Sequence, residues 1–365
     1  MGLFSSDKSA NFLGVDIGGS SIKLVELTNN NGHAQLVTYG YLERALSGTK
    51  LIDEPEKTAE LIKRVVDQSK VTCKRAVTAL PNSIVFSAII SLPEILKKDL
   101  TNPKKLTEAV EWEAKKVLPM PLEEMVLDWK LLSKPEELIK KDEPAEKLRN
   151  IQVLLTAAAK EVVQKYIQVF KNANLELISL ETEAFALARS LVGKDRSLVV
   201  SVDLGAVNSD ICLIENTIPI MNRSVGVGGM QISQAIAQTL NIKIEQAEQF
   251  KRDLEGNVQE LGMGDTLPDV IKRPIQTIVD EIQYSINFFL EQPENASKRV
   301  EKIILSGGTA NLFNLPKFFS DQLNLKTFIG NPWARVIYPE DLDPILQSIG
   351  PRLATSIGLA MRDIE

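Results

Sequence analysis

Phe12-Leu13-Gly14-Val15-Asp16-Ile17-Gly18-Gly19-Ser20-Ser21-Ile22-Lys23 is an apolar run that ends in an aspartate, breaks at glycines and resumes as a second apolar run to Leu27. That pattern predicts two strands joined by a tight turn. Ser197-Leu198-Val199-Val200-Ser201-Val202-Asp203-Leu204 repeats it, followed by Gly205-Ala206-Val207-Asn208-Ser209 and a return strand from Asp210 to Glu215. The chain therefore carries an internal pseudo-repeat, strand, Asp-x-Gly turn, strand. Each turn has a chemical rationale. Its glycines let backbone N–H groups approach a phosphate closely. The Ser20, Ser21 and Ser209 hydroxyls can donate to phosphate oxygens, and Lys23 can neutralise charge. Asp16 and Asp203 cannot bind phosphate, but each can hold Mg²⁺, usually through water. A lone turn of this kind is most often a plain hairpin. Two of them facing each other would clamp a triphosphate. A third turn, Gly307-Gly308-Thr309-Ala310-Asn311, follows the apolar run Lys302–Ser306 and offers bare backbone for an adenosine to lie against.

Outward from these turns, the sequence alternates strands and helices, an α/β pattern. A third strand is expected over 35–44, a helix over 55–70 with Pro55 in its first turn, and a strand over 74–80. Residues 82–159 differ in texture. They read as strand (84–92), helix (102–117), strand (125–132) and strand (151–159), a β-α-β-β unit that could be an insertion. Lys134–Asn150 is charge-rich, with two prolines, and reads as solvated spacer. Helices follow at 161–172 and 182–191. Past the second repeat, helices are expected at 230–240, 244–252, 274–290 and 353–362. Trp112 and Trp129 read first as core residues.

Composition excludes several classes. The 365 residues carry 42 Lys and Arg against 48 Asp and Glu, a net charge of −6. This argues against a nucleic-acid binder, which needs a basic face. No run approaches the ~18 apolar residues of a membrane span, and the N-terminus lacks a signal-peptide core. A cytoplasmic protein is expected. Met1-Gly2 with Ser6 matches a myristoylation pattern that recurs by chance. Cys73 and Cys212 lie in apolar runs and read as reduced core thiols. His33, the single histidine, sits in a polar turn, which leaves no His-based triad or metal cluster.

Residue for residue, the three turns resemble those of the actin-like ATPase superfamily, which includes actin, heat-shock ATPases, sugar kinases and FtsA. The resemblance implies two similar lobes around a nucleotide cleft: lobe I over 1–196 plus 340–365, and lobe II over 197–339 with an inserted helical subdomain over about 226–273. It makes Asp16 to Lys23, including Gly18 and Gly19, the first phosphate loop, and Asp203 to Ser209, including Gly205, Ala206 and Asn208, the second. Gly307, Gly308, Thr309 and Asn311 become the adenosine motif. It places Glu183 where the superfamily positions the attacking water, with Asp16 and Asp203 as its catalytic companions. Glu248 and Lys251 would flank the adenine, and Gly228 and Gly229 would face the nucleotide. The cofactors implied are ATP and Mg²⁺.

The words Met1-Gly2-Leu3-Phe4, Ala79-Leu80-Pro81-Asn82-Ser83, Glu113 to Trp129, Glu181 to Arg189 and Ser356 to Arg362 are similar to those of the PilM family of type IV pilus assembly proteins, nearly end to end. In that family the 82–159 unit corresponds to the subdomain called 1C, which helps receive the cytoplasmic N-terminal tail of the inner-membrane partner PilN. Trp112, Val117, Leu118, Met120 and Trp129 are candidate contacts. The implied protein is a scaffold peripheral to the inner membrane, in contact with other pilus components, able to form homo-oligomers and slow to hydrolyse ATP unless a partner intervenes. One departure is Ser209, where relatives often carry Thr. A small-molecule kinase would need a further carboxylate base in a sugar pocket. An FtsA-like filament protein would end in a basic amphipathic helix, and the sequence given stops at Asp363-Ile364-Glu365.

Overall fold

A computed structural model of the chain describes residues 11–44, 50–96, 102–132, 147–254 and 267–364. The Met1-Gly2-Ser6 pattern and residues 134–146 of the charge-rich segment lie outside them. The chain divides into two compact units, Met1–Ser83 with Gln168–Glu365, and Ile84–Ile167.

The larger unit is built on two sheets. In the first, β1 (Asn11–Ile17), β2 (Ser21–Asn30) and β3 (His33–Glu43) form an antiparallel meander. β1 also pairs in parallel with β4 (Arg75–Leu80), and β4 with β8 (Glu176–Thr182). The short β14 (Val336–Ile337) closes the far edge on β3. The chain thus rejoins this sheet at 336, a little before the 340 that the sequence suggests. β1 and β2 are buried almost throughout, as strands covered on both faces must be. α1 (Pro55–Gln68) buries Ala59, Ile62, Val65 and Val66 at helical spacing.

The smaller unit is an antiparallel sheet of β5 (Phe86–Leu96), β6 (Met125–Leu131) and β7 (Lys147–Ala159), with β7 central. α2 (Pro103–Val117) starts on an Asn102 cap and buries Leu106, Val110 and Ala114 against Ile90, Leu92, Ile151, Val153 and Leu155. Trp129 and Leu118 pack against that core. Trp112 does not. It is 68% exposed, because it lies two residues from Val110 and so about 200° round the helix from the buried stripe. Val117 and Met120 are exposed as well.

α3 (Lys160–Asn172) leads back to the larger unit. There α4 (Glu183–Leu187) runs on into a π-helical turn, Ala188–Val192. The second sheet contains β9 (Val199–Leu204), β10 (Ser209–Glu215), β11 (Ile218–Val225), β12 (Lys302–Ser306) and β13 (Thr327–Ile329), in the order β11-β10-β9-β12-β13. β11 is not legible in the sequence, since Pro219 and Asn222 break its pattern; an edge strand tolerates both. α5 (Gly229–Leu240), α6 (Ile244–Asp253), α7 (Asp269–Leu290) and α8 (Leu315–Leu323) bury Ile232, Ile236, Ala247, Ile275, Ile282 and Phe319 against this sheet.

α9 (Asp343–Ala360) begins ten residues earlier than the sequence pattern suggests. Pro344 fits the first turn of a helix, whereas Gly350 and Pro351 read as breakers. Burial holds the helix together regardless. Leu346, Leu353, Ile357 and Ala360 join Phe12, Val25 and Leu27 in the core of the first sheet. A side chain at Gly14 would run into the Ser356 carbonyl, and one at Gly358 into the Ala186 carbonyl. These glycines let α9 lie against β1 on one side and α4 on the other. Cys73 and Cys212 are buried free thiols, and burial pushes both upward in pKa.

Candidate functional site

The two Asp-x-Gly turns close on the same backbone hydrogen bond. Gly18 N donates to Ser21 O at 2.9 Å, and Gly205 N donates to Asn208 O at 3.0 Å. In each hairpin the aspartate pairs with the residue seven positions on, Asp16 with Lys23 and Asp203 with Asp210. The repeats therefore differ at one chemically decisive place, a cation in the first and a carboxylate in the second. Lys23 Nζ meets Asp16 Oδ2 at 2.8 Å, and both are largely buried. Burial alone would lower the Lys23 pKa, but the charges of Asp16, Asp203 and Glu183 hold it raised.

The acidic side of the cluster has too few cations. Burial and the charge of Asp203 raise Asp210 to about 7, against a hydrogen bond with Ser224, and Asp210 Oδ1 is buried with no partner. Burial also raises Asp203, while Lys23 and a 2.9 Å hydrogen bond from Ser306 Oγ work the other way. Glu183 stands at the start of α4, where the Thr182 hydroxyl caps the helix. Burial, then Asp210, Asp16 and Asp203, lift its carboxyl well above the usual range. Its Oε2 accepts a 3.1 Å hydrogen bond from Asn82 N. The Asn82 side chain is itself buried with neither polar atom paired.

Next to this cluster lies a cavity of about 600 Å³, inside the ~300–1,000 Å³ range of ligand pockets. Of the residues singled out by sequence, Ser20, Ser21, Lys23, Asp203, Gly205, Ala206, Gly229, Glu248, Lys251, Gly307, Gly308 and Thr309 line it. Gly228 lies behind, where a Cβ would meet the Gly205 carbonyl at 2.7 Å. Asp16, Gly18, Gly19, Glu183 and Asn208 also stand back from the wall. Ser209 is buried and its hydroxyl donates to Val227 O at 2.7 Å, so its proton is committed to the fold. Asn311 Nδ2 donates to Ser348 O and does not line the cavity.

One wall is open backbone. A Cβ at Gly308 would have Arg352 Nε, at 3.7 Å, as its nearest neighbour. Lys251 is 6% exposed, and its ammonium donates to Gly229 O at 3.1 Å and Glu248 Oε2 at 2.7 Å. Burial opposes the Glu248 charge, but hydrogen bonds from Lys251 and Ser233 hold its carboxyl below the usual range. Ile244 gives the lining an exposed apolar side chain.

Sequence reasoning missed Asp210, and also Glu43, Arg44, Arg252 and Arg352, all four of which line the cavity. The repeat could have exposed Asp210, because it aligns with Lys23. Nothing local marks the other four.

Two sheets of one unit, each opening on a matching Asp-x-Gly hairpin at a shared cavity, define an actin-like fold of two similar lobes. A family model described as type IV pilus assembly protein PilM matches residues 14–364. The chain belongs to that family. Among solved structures, a chain of a "PilM-PilN type IV pilus biogenesis complex" is 27% identical, with a TM-score of 0.79 over 97% of this chain and 98% of that one. The ethanolamine utilization protein EutJ from Carboxydothermus hydrogenoformans is 17% identical, with a TM-score of 0.54 over 96% and 89%. MreB5 of Spiroplasma citri bound to ADP is 13% identical, with a TM-score of 0.51 over 95% and 94%. These two share the fold. No helix among the described residues is long and apolar enough to cross a membrane.

Proposed function

We propose that this chain is an ATP-loaded scaffold of the type IV pilus assembly complex, peripheral to the inner membrane, that takes the N-terminal cytoplasmic tail of a PilN-type protein on a surface including residues 82–159. The near-complete structural match to a chain from a PilM-PilN complex carries this reading. Lobe I is assigned to 1–196 with the C-terminal segment from 336, where β14 joins its sheet, and lobe II to the residues between, with the helical subdomain over about 226–273.

The cavity suits the nucleotide. Free hydroxyls of Ser20 and Ser21, with Lys23, face where phosphates would lie, and Gly307-Gly308 leaves a flat wall for the base. Glu248 and Lys251, also in the lining, would flank the adenine. The donor set also suits Mg²⁺. Asp16, Asp203 and Asp210 are crowded carboxylates with one ammonium among them, and Asp210 has an unpaired oxygen. Among the described residues no three acidic, Cys or His side chains converge closely enough to ligate an ion directly, so Asp16 and Asp203 would hold it through water. Such an ion would neutralise phosphate charge. Glu183, anchored by Asn82 N, would orient a water. Hydrolysis is expected to be slow or partner-dependent.

Mg-ATP at ~100 times its dissociation constant should stabilise the fold by ~2.7 kcal/mol. Absence of any shift in melting temperature would remove the nucleotide from the reading. Partner recognition is tested by titrating a fluorescent copy of the PilN-type tail into the Mg-ATP-loaded protein. Saturable binding weakened by Trp112→Ser or Met120→Ser supports it. No binding at high micromolar peptide overturns it.

A further inference from the structure

Glu43, at the end of β3, is held by two arginines. Its Oε1 accepts from Arg352 Nη1 at 2.6 Å and its Oε2 from Arg252 Nη2 at 2.7 Å. The two guanidinium groups belong to different halves of the larger unit. Arg352 lies on α9, whose Leu353 and Ile357 are buried in the core of the first sheet with Phe12 and Val25. Arg252 lies on α6, whose Ala247, with Leu254 just beyond, is buried in the core of the second sheet. Glu43 itself extends from the first sheet. The Glu43–Arg252 bond therefore ties one core to the other, and all three side chains line the cavity. The chain continues inward, because Arg252 Nε reaches Glu248 Oε1 at 3.3 Å and Glu248 holds Lys251.

We infer that Glu43 is a latch whose bond to Arg252 holds the two cores together over the cavity and gates entry and release of the nucleotide. The inference rests on the nucleotide-binding reading above. The bond to Arg352 lies on one side of the cleft and survives opening, whereas the bond to Arg252 must break. The Arg252 and Glu43 side chains are 43% and 31% exposed. A pair this wet is weak and screened by salt, which suits a gate that opens on every exchange. Arg352 keeps the carboxylate aimed in the meantime, and its guanidinium also lies 5.6 Å from the centre of the Tyr41 ring.

The test uses a fluorescent ATP analogue with Mg²⁺, comparing the unmodified protein with Glu43→Gln and, as a second break in the same bond, Arg252→Gln. Association and chase-out rates should both rise about two- to fivefold, the worth of one exposed ion pair, while Kd changes less than either rate. In about 0.5 M salt the unmodified protein should approach the variants' rates. Hydrogen exchange of ligand-free protein at residues 18–23 and 205–209 should be faster in both variants. Unchanged rates in both variants overturn the latch. A faster release with unchanged association also overturns it, and makes Glu43 a simple ligand-side contact. If the unmodified protein binds no nucleotide, the nucleotide reading fails separately, and ligand-free hydrogen exchange decides the latch: unchanged exchange overturns it.

Discussion

Gly307→Ala is expected to destabilise the protein by about 2–5 kcal/mol, whereas Gly308→Ala next to it leaves stability within about 0.5 kcal/mol. Gly307 has a φ of +89°, and a Cβ there would stand 2.5 Å from Leu204 O and 2.7 Å from Leu204 C and N. The backbone of β9 cannot retreat, because Thr309 N and β12 are bonded to it. Left-handed strain costs about 1–2 kcal/mol, and the forced overlap about 1–3 kcal/mol more. Melting temperature should fall by roughly 10 °C. Gly308 has no such neighbour, so its methyl would project into the cavity and the loss should fall on the nucleotide, by about tenfold in Kd. The two melting curves and two Mg-ATP titrations check both halves. A stable Gly307→Ala would mean that the turn can move. A Gly308→Ala protein of undiminished affinity would remove this wall from the base site.

Lys23→Met should cost about 3–5 kcal/mol at pH 8, the range for leaving a buried charge unpaired. Methionine keeps the apolar stem and removes the ammonium that faces Asp16, Asp203 and Glu183. The pH dependence identifies the cause. Glu183, Asp203 and Asp210 have folded pKa values above their ordinary ones. Between the unfolded and folded values the folded state binds more protons, so stability falls as pH rises. For Asp210 that window runs from 3.8 to about 7. Removing the Lys23 cation should lift the Asp203 and Glu183 values further and steepen the fall. Urea unfolding at pH 5, 6, 7 and 8 should therefore show the variant recovering part of its deficit at pH 5, and Mg²⁺ at pH 8 should recover part as well. An equal deficit at every pH would assign the effect to lost packing.

The legible part of the site was the part carried by local backbone. Asp16 and Gly18 stand two residues apart between apolar runs, as do Asp203 and Gly205, and a strand-turn-strand pattern fixes where its aspartate sits. The same locality explains the miss at Ser209, whose hydroxyl turns to Val227 O. A strand alternates its faces, but the pairing partner that claims the hydroxyl comes from elsewhere. Trp112 was misplaced for a related reason. Hydrophobicity favours burial, but the phase of α2, set by Leu106, Val110 and Ala114, turns the indole outward.

The sequence by itself determined the α/β class, the doubled Asp-x-Gly hairpin and the β-α-β-β unit, because each is written in short-range apolar periodicity and glycine placement; the family was legible only as a resemblance, in words such as Glu181 to Arg189 and Ser356 to Arg362. Tertiary structure alone decided which side chains share the cavity. Glu43, Arg252 and Arg352 are separated by 209 and 309 residues from one end of the chain to the other, and no local pattern records such a meeting. It arises when burial closes α9 on the first sheet and α6 on the second, and so leaves three charges facing one another at the rim.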